Sequence, residues 1–145
     1  MDVTQYNFIP AHQALKHLPF YSHHYNNTPA GWQQIPLTNS SNNYHGWQIS
    51  YHGPKNHNTI ANTINQGYDK SLNVTSAYGK GIYSSPYPED AEGYADTFWW
   101  NGRKIRAIFM NRVNMSYTSI HNNGRYYLTT DDRMIVPVAV LIKQC

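Results

Sequence analysis

WQISYHGP, at residues 47–54, is the stretch around which the rest of the sequence is organised. Its apolar residues Trp47, Ile49 and Tyr51 alternate with polar ones, which is the period of a half-buried strand. The alternation stops at a His-Gly step, so His52 is predicted to stand at the end of a strand. An imidazole in that position, followed by a residue without a side chain, is well placed to line a pocket.

Two further elements follow this stretch along the chain. Residues 58–65 carry apolar side chains at helical spacing, with Asn58 as the predicted N-cap and Gly67 as the stop. YGKGIYSSP, at residues 78–86, then predicts a short buried strand over residues 81–84. These elements carry a His and a Gly-flanked Tyr, which could together form a pocket.

The second half of the chain is predicted to be rich in strands. Pro88 opens a helix with acidic residues in its first turn, as the helix dipole favours. The Asn-Gly pair at residues 101–102 predicts a tight hairpin. Further strands are predicted at residues 104–113, 126–129 and 135–143. Short strands concentrated late, with two or three small helices, predict an α+β domain rather than a βαβ repeat.

The first 46 residues have no clear period. Residues 11–18 could make two helical turns, and residues 20–45 are predicted to be an extended arm or loop. Their histidines have no matching carboxylate or cysteine nearby, so no metal site is predicted. We expect residues 1–46 to form an N-terminal extension packed on a catalytic domain of residues 47–145.

Composition sets wider bounds on the protein. A chain of 145 residues fits one domain, and its net charge of +3 with no Lys/Arg run favours a solvated basic surface over a nucleic-acid patch. The densest basic group, residues 103–106, is predicted to be a solvated strand face. The single cysteine, Cys145, excludes an internal disulfide. No signal peptide or membrane span is predicted. We therefore expect a cytoplasmic protein without a membrane partner, or an effector delivered into a host cytosol.

In their order and spacing, the motifs resemble the catalytic core of the ADP-ribosyltransferases of the diphtheria-toxin and poly(ADP-ribose) polymerase type. The resemblance covers roughly residues 47–143. It is carried by His52-Gly53-Pro54, Gly67-Tyr68, Gly79-Lys80-Gly81-Ile82-Tyr83, Ala91 with Tyr94, Asn111-Arg112-Val113, and Asp132 with Pro137. It implies a split antiparallel β-sandwich with a few short helices. It also implies NAD as the substrate and release of nicotinamide.

The resemblance implies a role for each matching residue. His52 would hydrogen-bond a hydroxyl of the nicotinamide ribose, and the backbone of Gly53 would bind the carboxamide. Tyr83 and Tyr94 would sandwich the nicotinamide ring, since a flat cationic heterocycle is held well between aromatic faces. Ser84, with its neighbour Ser85, is a candidate hydrogen-bond donor around this site.

The chain departs from the family at the third position of the catalytic triad. Family members that build polymers carry a Glu there, whereas the matching position is Tyr127, or Tyr126 if the register slips by one. Ala91 also stands where a Ser is frequent, which could weaken NAD binding by about 1 kcal/mol. The expected catalytic residues are therefore His52, Tyr83 and Tyr127, and the expected reaction is transfer of a single ADP-ribose, with the base taken from the substrate.

Two other functions remain open from the sequence. The domain could be a catalytically inactive module that binds NAD, ADP-ribose or another protein. Alternatively, the acceptor could be a nucleic acid instead of a protein, which is the favoured class. Loops at residues 69–78 and 115–123 are predicted to line the pocket rim and to choose the acceptor.

Overall fold

The computed structural model describes residues 28–37, 44–68, 78–100 and 102–145, so the helix predicted at residues 11–18 lies outside the described residues. The described parts hold eight strands and two short α-helices. The helices are α1 (Ile60–Gln66) and α2 (Pro88–Tyr94). The strands are β1 (Gln33–Pro36), β2 (Gln48–His52), β3 (Ile82–Ser84), β4 (Thr97–Trp100), β5 (Arg103–Val113), β6 (Thr118–His121), β7 (Tyr126–Thr129) and β8 (Ile135–Gln144).

The strands form two antiparallel sheets. The larger sheet has the order β1-β8-β5-β2, and β4 pairs with the other end of the long strand β5. The smaller sheet has the order β3-β7-β6. An isolated bridge between Tyr51 and Ser85 joins the end of β2 to the end of β3. Two antiparallel sheets with two short helices confirm the α+β prediction at that level.

Strand β5 is buried on both faces, which explains why its sequence does not alternate cleanly. Phe109 packs in a core that includes Ile60 of α1 and Ile82 of β3. Ile108 packs on the other face, in a core that includes Ala91 of α2. The large sheet is therefore covered on one side by α1 and the small sheet, and on the other by α2.

Helix α2 is held to the large sheet by ion pairs as well as by apolar packing. Glu92 accepts from Arg106 Nη1 at 2.9 Å and from Lys143 Nζ at 3.1 Å. Arg106 belongs to the basic group at residues 103–106, and it bonds to a helix instead of lying free in solvent. These pairs fix the position of α2, which carries Tyr94 at its last turn.

Two strands lie where the sequence predicts loops. β1 pairs with β8 from inside the predicted arm at residues 20–45, and β6 pairs with β7 from inside the predicted rim loop at residues 115–123. Both are only four residues long, and tertiary pairing overrides so weak a local signal. The helix prediction at residues 58–65 is close, but the chain is capped earlier, by Asn56, ahead of a 3₁₀ turn at His57–Thr59.

The hairpin predicted at residues 101–102 is confirmed, because Trp100 of β4 pairs directly with Arg103 of β5. Two other 3₁₀ turns, Met115–Tyr117 and Asp132–Met134, precede β6 and β8. Among the described residues, no helix is long and apolar enough to cross a bilayer.

Candidate active site

His52 lies at the end of β2, as the sequence predicts, and its ring is tied to β3. Its Nδ1 lies 2.8 Å from the carbonyl oxygen of Tyr83. A carbonyl oxygen only accepts, so Nδ1 must carry the proton and donate it. The other nitrogen, Nε2, then presents a lone pair. The hydrogen bond thus selects the tautomer that can accept a hydrogen bond from a ligand hydroxyl.

The surroundings of His52 keep the imidazole uncharged. Burial lowers the pKa of His52, and the bond to the Tyr83 carbonyl offsets this only in part. The ring of Tyr68 meets His52 edge-on, with centroids 5.2 Å apart. The Tyr68 hydroxyl donates to Asn111 Oδ1 at 2.6 Å, so its own position is fixed from inside the core. His52 is therefore a neutral, rigidly held acceptor at neutral pH.

Gly53 is a glycine for a reason that the sequence pattern does not reveal. A Cβ on Gly53 would lie 1.9 Å from the carbonyl oxygen of Ala91 in α2. The packing of the protein itself therefore requires a glycine, because the end of β2 lies directly against the backbone of α2. This contact also sets the distance between the strand that carries His52 and the helix that carries Tyr94.

Tyr83 and Tyr126 share one face of the small sheet. In the β3–β7 register, Tyr83 pairs with Leu128 and Ser84 pairs with Tyr127. Paired residues share a face and neighbours along a strand alternate, so Tyr126 lies diagonally from Tyr83 on the same face. The geometry thus places Tyr126 on the face that carries Tyr83, and Tyr127 and Ser84 on the opposite face.

Tyr94 belongs to the same neighbourhood. Its phenol acts on Tyr126 and is the main cause of the raised pKa of Tyr126, which places the two side chains close together. Tyr94 is nonetheless 52% exposed, so much of its ring is open to a ligand. Lys55 Nζ lies 5.9 Å from the centre of that ring. An exposed aromatic ring next to a cation suits a ligand with a flat ring and a phosphate group.

The turn before Tyr83 is closely packed. The Tyr83 hydroxyl donates to the Gly79 carbonyl oxygen at 2.6 Å, which fixes the orientation of the ring. A Cβ on Gly81 would lie 2.8 Å from the Thr129 carbonyl oxygen, so a glycine is required for β3 to approach β7. The Gly-x-Gly-Ile-Tyr motif therefore holds the Tyr83 ring in one orientation.

The carboxylate that acts on Tyr126 already has two hydrogen-bond partners. Asp90, whose charge acts on Tyr126, accepts from Ser85 Oγ at 2.9 Å and from Arg125 Nη2 at 2.5 Å. Ser85 is likewise occupied, and the buried Ser84 hydroxyl has no partner in the described part of the chain. Asp90 is thus held by Ser85 and Arg125 and is not free to act as a base.

A second imidazole, that of His57, belongs to no sequence motif and lies close to the Gly53 end of the site. His57 Nδ1 is 2.6 Å from Asp96 Oδ2, a contact between residues 39 positions apart in sequence. No spacing rule links two residues so far apart, so only the fold could reveal the pair. The described residues contain no cluster of three or more His, Cys, Asp or Glu side chains that could hold a metal ion.

No family model matches this chain, and no curated protein matches it. The structure brings together His52, Tyr83, Tyr94 and Tyr126 around the junction of β2, β3 and α2. Gly53 lies at the same junction, with its backbone against α2.

Proposed function

We propose that this protein is an NAD-dependent mono-ADP-ribosyltransferase, built on an ADP-ribosyltransferase-like split β-sandwich. It would move one ADP-ribose from NAD to a macromolecular acceptor and release nicotinamide. The observation that carries the proposal is the hydrogen bond from His52 Nδ1 to the Tyr83 carbonyl. It joins the two motifs that the family resemblance pairs, and it leaves Nε2 as the acceptor that a ribose hydroxyl requires.

The site residues suit the cleavage of a nicotinamide–ribose bond. Tyr83 and Tyr94 would hold the nicotinamide ring, and Nε2 of His52 would accept from a ribose hydroxyl. The C1′–N bond then breaks with its electron pair on the nitrogen, so that cationic nicotinamide leaves as a neutral molecule. The acceptor attacks the resulting oxocarbenium-like C1′. Fixing the ring and ribose before the bond breaks supplies much of the rate enhancement in such reactions.

Transfer of a single unit follows from the residue at the third position. Tyr126, on the Tyr83 face, has no negative charge to activate a ribose hydroxyl for chain growth. The same observation favours a second candidate function, a catalytically inactive module that binds NAD or ADP-ribose. Both candidates would bind NAD, but only the transferase would turn it over.

Incubation of the purified protein with labelled NAD, with and without cell lysate, tests both functions. We expect nicotinamide release and label on a macromolecule, both lost in His52→Ala and Tyr83→Ala. Trp99→Ala is the control, since Trp99 is exposed and lies on β4, which pairs with the end of β5 opposite to that paired with β2. Binding without turnover in the wild-type protein would establish the inactive module, and absence of binding would refute both functions.

The acceptor is identified by treating the labelled product with protease or nuclease. We expect protease to remove the label, because a protein acceptor is the class we propose. Release by nuclease would show a nucleic-acid acceptor instead. We propose that the reaction takes place in a cytosol, that of the producing cell or of a host.

A further inference from the structure

The pair formed by His57 and Asp96 has the geometry of an oriented base. His57 begins the 3₁₀ turn after β2, and Asp96 follows α2. Besides the contact between Nδ1 and Oδ2 at 2.6 Å, the His57 backbone N–H donates to the same oxygen at 3.3 Å. The imidazole stacks on Phe98, with centroids 4.9 Å apart and planes 11° apart. The ring is therefore fixed on one face and at one nitrogen.

The carboxylate determines which nitrogen of His57 is free. Asp96 stays ionised, because the His57 hydrogen bond lowers its pKa. An ionised carboxylate accepts from Nδ1–H, so in the neutral ring the lone pair lies on Nε2. The two side chains are 34% and 35% exposed, so a molecule from solvent can reach them. This is the arrangement in which a carboxylate orients a histidine for proton transfer.

The pair lies beside the candidate NAD site. The Asp96 backbone N–H donates to the Pro54 carbonyl at 3.0 Å, and Pro54 directly follows Gly53. Lys55, from the same segment, reaches over the ring of Tyr94 at 5.9 Å. The segments at residues 53–57 and 94–96 therefore run side by side, with the proposed NAD contacts at one end and the His57–Asp96 pair at the other.

We propose that His57 is the general base that activates the acceptor, with Asp96 as its positioning residue, in place of the absent triad acid. The inference rests on the proposed transferase function. The acceptor O–H proton moves to Nε2 of His57, and the freed electron pair forms the bond to ribose C1′. The C1′–N electron pair departs with nicotinamide. Asp96 stabilises the resulting imidazolium, which then loses its proton to water.

Two other accounts of this pair make different predictions. Asp96 could only cap the 3₁₀ turn while His57 covers Phe98, which is a structural role. Alternatively, the acceptor could supply its own base. A structural role predicts loss of stability in variants but no response to an added base, and a substrate-supplied base predicts no effect on transfer.

Chemical rescue separates these accounts. In the full chain, His57→Ala should lower the rate of ADP-ribose transfer by about 100-fold, as is usual on loss of a general base, with the Kd for NAD unchanged. Added imidazole should restore much of the transfer by His57→Ala and leave the wild-type rate unaltered. Asp96→Asn keeps an acceptor for the turn but removes the charge, and it should lower transfer by about 10-fold or more. His57→Phe keeps the stack on Phe98 and should fold normally without being active or rescued.

The outcomes are distinct. Wild-type transfer rates in His57→Ala would overturn the inference and place the base on the acceptor. Loss of transfer that imidazole does not restore, with a lowered unfolding midpoint, would also overturn it and leave a structural role. A wild-type protein that binds NAD without turning it over, or does not bind it, refutes the transferase itself, and the inference falls with it.

Discussion

His52 is neutral at physiological pH, and that state decides what it can do. Its Nδ1 proton is committed to the Tyr83 carbonyl, so protonation at Nε2 would convert the only acceptor on the ring into a donor. Burial lowers the pKa of His52 from its ordinary 6.5. The folded protein thus keeps the acceptor form over a wider pH range than a free imidazole would.

The pH dependence of nicotinamide release checks this state. On acidification, kcat/KM should fall as His52 gains a proton, with a midpoint below 6.5 because burial lowers the pKa. The unfolded chain binds this proton more readily, so the free energy of unfolding should also decline as the pH falls below about 6.5. A midpoint above 6.5 in the His52-dependent activity would contradict a lowered pKa for this histidine.

Tyr126 and Tyr127 are neighbours in sequence but lie on opposite faces of the small sheet. Tyr126→Phe removes the hydroxyl beside Tyr94 and should weaken NAD binding about 5-fold, the effect of one hydrogen bond of about 1 kcal/mol. Tyr127→Phe is the matched control and should bind NAD like the wild type. Titration calorimetry measures both, and the reverse order would show that Tyr127 lines the site.

The register in which β7 pairs with β3 could not be predicted from the sequence. Alternation fixes which residues of β7 share a face but not which face meets Tyr83, since a slip of one residue exchanges all of them. Counting back from Asp132 favours Tyr127, whereas the pairing of Tyr83 with Leu128 places Tyr126 on the shared face. By contrast, His52 at a strand end could be predicted, because the alternation of β2 and the His-Gly step are local.

At the scale of elements, the site depends on how closely β2 approaches α2. Gly53→Ala would place a methyl group 1.9 Å from the Ala91 carbonyl oxygen, so α2 would have to move. We expect a loss of about 1–3 kcal/mol or more in the free energy of unfolding, the usual effect of overpacking. Weaker NAD binding should accompany it, because the helix carries Tyr94.

Gly93→Ala is the matched control for that experiment. Gly93 lies in the same helix, and nothing lies within 4 Å of a Cβ placed there. Alanine is the better helix former, so this variant should be as stable as the wild type or up to about 1 kcal/mol more stable. Urea denaturation of both variants checks the pair. Equal stability of Gly53→Ala and Gly93→Ala would contradict the close approach.

Elements with strong local signals could be predicted, and those that depend on partners could not. The hairpin at residues 101–102 and the start of α2 at Pro88 follow from turn and capping chemistry. β1 and β6 are four-residue strands whose pairing depends on β8 and β7. Even so, Asn122, Asn123 and Gly124 all have positive φ in the β6–β7 turn, and that Asn-Asn-Gly sequence was a readable turn signal.

At the scale of the whole molecule, the large sheet extends into the first 46 residues. β1 borders β8, and its Ile35 is completely buried, with Trp32 nearly so. A chain that starts at Trp47 lacks both side chains, whereas a chain that starts at Thr28 retains them. The longer chain should be more stable by about 3 kcal/mol or more, since each buried side chain contributes roughly 1.5–3 kcal/mol. Denaturant midpoints decide this, and equal midpoints would place the domain boundary at residue 47.

Calorimetric titration with NAD is the decisive test of the nicotinamide site. We expect saturable binding that weakens about 10-fold in Tyr94→Ala, the loss of one stacking face worth about 1.4 kcal/mol. Trp99→Ala removes another exposed aromatic side chain, on β4, and should leave the Kd unchanged. Absence of NAD binding by the wild type, or equal losses in the two variants, would contradict a nicotinamide site at the junction of β2, β3 and α2.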